Sequence, residues 1–527
     1  MLCNLYEESL ELNDAQKLEI QRLRDENSRL KGEQGKPDVK PSKKPQEKNN
    51  HSSEQQRKKP KTWKKSAKND KLTITRTVEP LPMNVSMPED AVFKEQVEVI
   101  VQNLKLVPEV VCLKRDKYYS PSTGKTYYTP LPPGWEGGFS SDLKTLALGL
   151  HHLGNVSAKA LHTFFTHAGV HISTGQISNL LIKGHETLHR EKQDIVLAGL
   201  KSSVWQQTDD TLTRVNGVNQ HCHVLTNPLY SSYTTLPHKD RLSVLDVLRN
   251  KAARVFLLTQ EILEGAFVQR LPAKWRRVLE TLPLDTLWDE PCLLELMDEK
   301  FPTLAVQQRK GLIEQMALAA YRSQTDIPVV DLLVSDDAPQ FRGLTRLLSL
   351  CWVHAGRHFN KLSPHLRCHQ ERLSAYKEKF WLFYEKLLTY KSCPEPSMAV
   401  ALEKEFDLLF VANTGYAALD ERIRKTAANK AELLLVLQHP EIPLHNNASE
   451  LAVRFRVRKR DVSFGPRTQE GVDAWDSFQT IAATAQKQGV SFLAYLDDRL
   501  SREFKMPSLA SMITSKAEAM DLSDSWS

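Results

Sequence analysis

The sequence predicts a mixed α/β fold, in which long helical insertions separate the strands of a β-sheet. Two patterns support this prediction. Between residues 204 and 235, apolar and polar residues alternate with a period of two, which is typical of half-buried strands. Residues 329–334 form a short, very apolar run that ends at Ser335-Asp336-Asp337, as a buried strand would. Helical periodicity fills most of the sequence around and between these two regions.

The length and composition of the chain limit the number of its domains and the class of protein to which it can belong. At 527 residues and 60.0 kDa the chain is long enough for several domains, and 41% hydrophobic residues allow a sizeable core. The seven cysteines include no Cys-x-x-Cys pair, which excludes a disulfide scaffold and a standard zinc ribbon. No apolar run is long enough to span a membrane, and residues 1–14 carry Glu but no Lys or Arg, unlike a signal peptide. We therefore expect a soluble protein of a reducing compartment.

The N-terminal segment, residues 1–31, predicts a short coiled coil. Its heptad seam follows steps of three and four residues and consists of Ile20, Leu23, Asn27 and Leu30. Such a seam supports dimerisation or binds a partner helix. An ordinary amphipathic helix is the alternative explanation of the same spacing.

Residues 32–72 predict a basic, flexible linker. The stretch 32–71 contains 13 Lys and Arg against 5 Asp and Glu, a net charge of +8, whereas the whole chain carries +7. It also has four prolines and almost no apolar residues. Burial of so few apolar side chains cannot offset the conformational entropy that the segment would lose on folding. The linker is either a solvated spacer or an arm that binds nucleic-acid phosphates.

Residues 73–138 predict a small β-rich region and residues 139–200 a helical one. The runs LTITRTV, KYYS and KTYYT favour strands. In the helical region, Ser173 and Gln176 form a capping box that starts a helix. Three short helices in this order predict a helix-turn-helix that reads the major groove, although a plain helical packing module fits as well. The positions that would face DNA are Thr174, Gln176, Asn179 and Lys183.

Residues 201–500 predict the main domain, with helical insertions at about 238–326 and 358–440, and residues 501–527 a C-terminal tail. The predicted elements are strands Val204–Asp209, Arg214–Gly217 with Gln220–Thr226, Tyr230–Thr235 and Val329–Val334, a helix Phe341–Ser349, a strand Leu350–His354, and a final helix that begins near His445. Three antiparallel strands, then strand, helix, strand and helix, is the order of a ribonuclease-H-like mixed sheet.

Three acidic residues fall where such a sheet brings chain ends together. Asp209 ends the first predicted strand, Asp336 ends the fourth, and Glu450 lies one turn into the late helix. Carboxylates that converge from separate elements can hold two Mg²⁺ ions about 3.5–4 Å apart for phosphoryl transfer. Each acid alone fits a turn, a cap or the helix dipole equally well. The adjacent Asp210 and Asp337 remain alternatives to their neighbours.

The late helix carries cations in register with its acid. Glu450, Arg454 and Arg458 follow one another at i, i+4 and i+8 and so share one face. The arginines could grip DNA phosphates while the carboxylate binds metal, or all three could form a simple salt-bridge ladder. Asn446 or Asn447 could cap this helix and also touch a nucleotide.

These motifs resemble those of the bacterial DDE transposases of insertion-sequence family sixty-six, over most of the chain. Gln207-Thr208-Asp209-Asp210-Thr211 is similar to the family's first catalytic motif, and Ser335-Asp336-Asp337 with the later Cys351–Phe359 box resembles its second. The segment Asn446–Glu450, continued by Arg454, Arg458 and Lys459, resembles its Asn-Asn-x-x-Glu helix.

The resemblance implies a transposase that binds the terminal inverted repeats of its element, frees a 3′-hydroxyl and joins it to target DNA. Its catalytic and metal-binding residues would be Asp209, Asp336 and Glu450, with two Mg²⁺ ions for which Mn²⁺ can substitute. Its DNA contacts would come from Arg454, Arg458, Lys459, Asn446, Asn447, Gln176, Asn179 and Lys183. Such a protein would be cytoplasmic and associated with the bacterial nucleoid. We expect a homodimer or a higher oligomer, with a role for accessory proteins encoded by the same element.

The chain also departs from that family. Members commonly carry a cysteine-rich zinc ribbon ahead of the helical block, where this chain has only Cys112. Cys351 and His354 supply half of a zinc site with no second half nearby, so we expect no zinc. Two other functions remain as alternatives: a DNA-binding protein of transposon origin that no longer cuts, and a structure-specific nuclease that does not join strands.

Overall fold

The computed structural model describes residues 2–30, 72–78, 88, 90–92, 94, 95 and 97–520; residues 32–71 of the predicted linker and 521–527 of the predicted tail lie outside this part of the chain. The elements that precede the main sheet are α1 (Leu2–Leu30), β1 (Lys117–Ser120), β2 (Lys125–Tyr128), α2 (Ser141–His152), α3 (Ala158–His167), α4 (Thr174–Ile182) and α5 (Glu186–Lys201). Strands β1 and β2 pair as an antiparallel hairpin, which confirms the prediction for KYYS and KTYYT.

The first half of the sheet and the insertion after it follow in chain order. They comprise β3 (Trp205–Val215), β4 (Val218–Asn227), β5 (Tyr230–Leu236), α6 (Arg241–Leu248), β6 (Val255–Leu257), α7 (Gln260–Glu264), α8 (Ala266–Gln269), α9 (Ala273–Glu280), β7 (Leu287–Asp289), α10 (Glu290–Lys300) and α11 (Val306–Ser323). Between β3 and β4 the chain reverses at Asn216 and Gly217, whose φ angles of 48° and 80° suit a two-residue hairpin turn.

The remainder completes the sheet and adds the second insertion and the C-terminal helices. It comprises β8 (Leu332–Ser335), β9 (Leu347–Leu350), α12 (Trp352–Asn360), α13 (Arg367–Ser392), α14 (Pro396–Leu409), α15 (Ala417–Ala427), α16 (Lys430–Leu433), α17 (Asn447–Ser463), α18 (Gln469–Gln488), α19 (Phe492–Leu500) and α20 (Leu509–Ala519). Short 3₁₀ turns occur at Glu136–Gly138, Pro339–Phe341 and Leu435–Leu437. Among the described helices, none is both long and apolar enough to cross a membrane.

Three predictions of local structure are wrong. Residues 72–78, which contain the LTITRTV run, lie in no strand, and residues 341–349 form no helix. The predicted strand Leu350–His354 is instead the end of β9 followed directly by α12. Short apolar runs fit a strand or a buried helical turn equally well, and strand propensity counts for little without a partner strand.

The sheet is five-stranded and mixed, with the strand order β5-β4-β3-β8-β9. Strand β3 pairs antiparallel with β4 and parallel with β8, where Trp205 lies opposite Leu332 and Gln207 opposite Val334. Continuing this register by two residues brings Asp209 beside Asp336 on the same face, because side chains alternate along a strand.

Two large apolar clusters lie against the sheet. One joins α2–α11 to the C-terminal helices α18–α20, through residues such as Ile195 and Phe478. The other packs α12–α16 against Trp205, Leu332 and Val334. Because these three residues alternate in step with Asp209 and Asp336, the second cluster covers the face that carries the acids.

Helix α17 completes the cover of that face. Ala452 packs against Val224 and Tyr233, and Val224 is the partner of Asp209 in the β3–β4 ladder. One turn further along the same side of the helix, Arg456 is fully buried and forms an ion pair with the buried Asp476 of α18. Glu450, in its first turn, is therefore positioned near Asp209 in the middle of β3.

The predicted helix-turn-helix region, residues 139–200, packs against the C-terminal helices. The capping box of Ser173 and Gln176 is present at the start of α4, as predicted. Helices α2–α5 share a core with α18–α20, and His189 Nδ1 lies 2.8 Å from Ser477 Oγ across that contact. The region 139–200 therefore packs as one layer with the C-terminal helices.

Helix α1 lies against the second insertion. The carboxylate of Glu7, which is almost fully buried, accepts hydrogen bonds from the N–H groups of His365 and Leu366 and lies 2.9 Å from His369 Nδ1. In this position it satisfies backbone donors at the start of α13. The seam residues Ile20 and Leu23 stay exposed, so the surface predicted to form a coiled coil is available for pairing.

Candidate active site

The three predicted acids come from three elements and lie near the C-terminal end of β8, where Asp209 occupies the middle of the longer neighbouring strand β3. Asp209 is in β3, Asp336 directly follows β8, and Glu450 is in the first turn of α17. Their charges act on one another: the pKa of Asp209 rises to about 7, first because the carboxyl is buried and then because Asp336, Asp210 and Glu450 repel its charge. The backbone N–H of Asp210, which donates to Asp209 Oδ1 at 2.8 Å, opposes this shift.

Asp336 has a similar environment. Burial raises its pKa, while His354 and the N–H of Ala338, which donates to Asp336 Oδ1 at 3.2 Å, act in the opposite direction. Asp210 adds repulsion to this carboxyl as well. Neighbouring carboxylates that raise one another's pKa hold unfavourable negative charge in one place, which a bound cation would relieve.

The two neighbouring aspartates are engaged elsewhere. Gln340 Nε2 donates to Asp210 Oδ2 at 2.8 Å, and Lys239 Nζ lies 4.0 Å from Asp210 Oδ1. Asp337 forms an ion pair with Arg342 and accepts a hydrogen bond from Asn429 Nδ2 at 3.0 Å. These contacts favour Asp209 and Asp336 as the free carboxylates of the site.

Glu450 meets two residues of α12 that the sequence interpretation did not assign to the site. Arg357 Nη2 lies 3.0 Å from Glu450 Oε1 and 3.1 Å from Oε2, and His354 Nε2 lies 3.5 Å from Oε1. Arg357 Nη1 in turn donates to His354 Nε2 at 2.9 Å, and burial with this cation lowers the pKa of His354. Their spacing of i and i+3 would have indicated a shared helix face, but residues 350–354 were predicted as strand.

The donor set suits a hard divalent cation. All three acids are oxygen ligands, and the Oε1 atom of Glu450 is buried without accepting a hydrogen bond, although Arg357 lies beside it. Within the described ranges, no group of three His, Cys, Asp or Glu side chains converges closely enough to hold one ion. The oxygen ligands fit Mg²⁺ in chemistry. Because the three carboxylates do not converge on one point in this structure, their side chains would have to turn toward one another to hold an ion.

The predicted DNA contacts on α17 fall into two groups. Arg454 and Arg458 are exposed, and Arg454 Nη2 lies 3.9 Å from Glu450 Oε2. Lys459 is fully buried, and its Nζ donates to the carbonyl of His151. The expectation that Lys459 contacts DNA is therefore wrong: one helical step from Arg458, it points into the core, where burial lowers its pKa to about 6.

Asn446 and Asn447 are buried as well, so neither is placed to touch a nucleotide. Asn446 is the N-cap of α17, but its side chain makes no cap hydrogen bond; instead the N–H of Asn447 donates to His445 Nδ1 at 3.4 Å. The prediction that Asn446 or Asn447 caps this helix is thus confirmed for the position of Asn446, but not for a hydrogen bond from its side chain. On α4, the side chains of Gln176, Asn179 and Lys183 are exposed, although Gln176 Oε1 accepts a hydrogen bond from the N–H of Ser173.

The fold and the site together define a mixed α/β protein with largely buried carboxylates close together where β3 passes the end of β8. No family model and no solved structure matches the chain. Over 323 residues it is 31% identical to the Uncharacterized protein y4jO of Sinorhizobium fredii (strain NBRC 101917 / NGR234), a match that spans 61% of this chain and 99% of that protein. The chain belongs to the family of y4jO.

Proposed function

We propose that the protein is a DDE transposase with a ribonuclease-H-like catalytic core. It binds the ends of an insertion sequence, cleaves the DNA to free a 3′-hydroxyl and joins that hydroxyl to target DNA. The observation that carries this proposal is the proximity of Asp209 in β3, Asp336 directly after β8 and Glu450 in α17, where burial and mutual repulsion raise the pKa of Asp209. The strand order and the parallel β3–β8 pair are those expected of the proposed core.

In the proposed site, the acidic residues hold metal ions and the exposed arginines hold DNA. Asp209, Asp336 and Glu450 would hold two Mg²⁺ ions, which when bound supply charge to the scissile phosphate and lower the pKa of an attacking water. Arg357 and His354 fix the carboxylate of Glu450 from α12. Arg454 and Arg458 are exposed along α17 and would hold phosphates of the strand that enters the site. Positioning and charge neutralisation then account for the catalysis, with no covalent enzyme intermediate.

The experiment that tests the proposal measures nicking and joining of labelled element ends, with and without Mg²⁺ or Mn²⁺ and with any accessory proteins present. Glu450→Gln keeps the size of the side chain and removes its charge. We expect nicking and strand transfer to fall by several orders of magnitude, because the metal supplies most of the rate. Metal-free binding to element ends should stay the same or tighten slightly, since one negative charge near phosphate is removed.

The two alternatives give different results in the same assay. A wild-type protein that binds ends but never nicks them is a DNA-binding protein of transposon origin. One that nicks but never joins is a structure-specific nuclease. If Glu450→Gln nicks as well as the wild type, Glu450 only pairs with its arginines and the proposed site is wrong.

A further inference from the structure

Helix α17 ends in an unusual residue. Phe464 is its C-cap and adopts the left-handed conformation, with φ 59° and ψ 0°. Gly or Asn normally fills such a position, because a side chain with a Cβ atom is strained there and a bulky one most of all. The helix therefore ends at a residue whose backbone conformation is costly for its type.

The backbone around Phe464 is held in place by the β3–β4 hairpin. The N–H of Phe464 donates to the carbonyl of Arg460 at 2.8 Å, and the N–H of Asn216 donates to the carbonyl of Pro466 at 3.0 Å. Gly465, at φ 105°, lies so close to β3 that a Cβ atom would collide with the carbonyl oxygen of Arg214. The loop is thus attached to α17 before Gly465 and to the hairpin after it, and Gly465 itself lies against β3.

The fixed loop presents the aromatic ring to solvent. The side chain of Phe464 is 83% exposed. A large apolar side chain at a strained and exposed position contributes nothing to the core, and Gly would relieve both costs. Strained residues persist where the surrounding structure determines them, and they cluster at ligand-binding sites.

Exposed cations occur on the same helix as Phe464 and next to its loop. Arg454 and Arg458 lie along α17 between Glu450 and Phe464, and Arg214 and Arg467 are exposed beside the loop. Asp461 is the acidic residue of this stretch, and it lies 3.6 Å from Arg460. Along the helix axis, Phe464 is about 21 Å from Glu450 at 1.5 Å per residue. That distance corresponds to roughly six steps of a DNA strand.

We propose that Phe464 stacks on an unpaired base of the DNA strand whose phosphates contact Arg454 and Arg458. This inference rests on the proposed function and adds a substrate feature to it: DNA that is single-stranded or frayed about six nucleotides from the cleaved phosphate. An aromatic ring on a fixed support, flanked by arginines, is the arrangement by which proteins bind single strands, since every base has a π-face and every nucleotide a phosphate.

Metal-free fluorescence anisotropy tests the inference. The probes are a fluorescein-labelled, mixed-sequence oligonucleotide, free and as a blunt duplex, titrated with the full-length protein in EDTA. Phe464→Leu keeps an apolar side chain and removes the π-face, and we expect affinity for the single strand to fall about 5- to 150-fold, the size of one base–aromatic stack. Affinity for the blunt duplex should hardly change. Phe464→Trp should retain the affinity for the single strand.

Two further variants separate stacking from other effects. Val462→Ala removes an exposed apolar side chain from the same end of α17 and should leave both affinities unchanged. Phe464→Gly should raise the thermal midpoint, because it relieves the positive φ, and should lose affinity for the single strand as Phe464→Leu does.

Every outcome decides the inference. Equal losses on single strand and duplex, or no loss for Phe464→Leu, would overturn stacking. A change of sedimentation coefficient in Phe464→Leu would show that the ring contacts a second copy of the chain and would overturn it as well. A wild-type protein that binds neither probe would instead refute the proposed function, and this result is distinct from the other three.

Discussion

Adjacent residues at this site have opposite environments. Asp209 and Asp210 follow one another in β3, yet the first is repelled by Asp336 and Glu450 whereas the second accepts a hydrogen bond from Gln340. Alternation along the strand produces this difference, because successive side chains point to opposite faces of a sheet. The same contrast distinguishes Asp336 from Asp337, which pairs with Arg342.

Substitution by asparagine should therefore separate the neighbours. We expect Asp209→Asn and Asp336→Asn to abolish nicking, since each removes a charged oxygen ligand. Asp210→Asn and Asp337→Asn should retain it and serve as matched controls of equal size and charge change. The measurement is the nicking rate of labelled ends in Mg²⁺. Loss of nicking in Asp210→Asn with retention in Asp209→Asn would reverse the assignment.

Arg458 and Lys459 provide a second adjacent pair. Arg458 is exposed whereas Lys459 is buried against His151. Arg458→Ala should weaken DNA binding and reduce the slope of log affinity against log salt by about 1, the change expected for one lost phosphate contact. Lys459→Met, which keeps the volume and removes the charge, should leave both quantities unchanged. An equal loss of affinity in the two variants would mean that α17 lies differently against DNA.

At the scale of elements, α17 depends on one buried ion pair. Arg456 donates to Asp476 and Thr235, and to Gln479 Oε1 at 2.6 Å, and it is fully buried with Asp476. The N–H of Thr235 donates to Asp476 Oδ2 at 2.7 Å. The pair thus ties α17 to α18 and to β5, on the side of the helix that faces away from solvent.

Breaking this pair should be costly. Arg456→Met or Asp476→Asn leaves a buried partner unsatisfied, and each should lower the free energy of unfolding by about 3–5 kcal/mol. The double variant should cost less than the sum of the two, because neither Arg456 nor Asp476 is then left facing a missing partner; Lys192 Nζ, 3.9 Å from Asp476 Oδ2, loses its partner equally in the Asp476→Asn and double variants. Arg346→Ala breaks an exposed pair with Asp331 and should cost at most about 1 kcal/mol. Urea unfolding followed by circular dichroism measures the free energy of unfolding of all four variants. If the losses of the two single variants simply add in the double variant, Arg456 and Asp476 are not coupled.

Strands β3–β5 and the three acids could be predicted because their signals are local. Alternation marks β3, and Asp336 directly follows the short apolar strand β8, as predicted; β3 itself runs on to Val215, so Asp209 lies within the strand and not at its predicted end. The segment from 341 to 354 could not be predicted, since β9 is only four residues long and passes at once into α12. Because α12 was not predicted to start at Trp352, His354 and Arg357 were not assigned to the site. Their partner Glu450 is 93 residues from Arg357 in the sequence. The burial of Lys459 could not be predicted either, because it depends on the contact of its side chain with α2.

At the scale of the whole molecule, contacts join distant parts of the chain. Helices α2–α5 pack with α18–α20, and Glu7 of α1 reaches the start of α13. A truncation that removes α18–α20 would therefore expose the core beneath α2–α5 as well. Helices α2–α5 and α18–α20 therefore form one folded unit, although they are far apart in the sequence.

The basic segment 32–71 belongs to this scale, because it connects α1 to the rest of the chain. With a net charge of +8, it should add non-specific DNA affinity through counterion release. Replacing it by an uncharged Gly-Ser segment of the same length should flatten the salt dependence of binding to a blunt duplex while preserving the connection. An unchanged slope would show that the segment only spaces α1 from the body.

The buried pair of Arg456 and Asp476 also constrains how this family can diverge. Loss of Asp476 removes the carboxylate that pairs with the buried Arg456, and loss of Arg456 leaves Asp476 with the more distant Lys192, 3.9 Å away, so a lineage should lose the pair together or through a compensated intermediate. Among relatives of y4jO, the two positions should therefore covary, being Arg and Asp in some members and both uncharged in others. Exposed pairs such as Arg346 and Asp331 carry no such constraint and should drift independently.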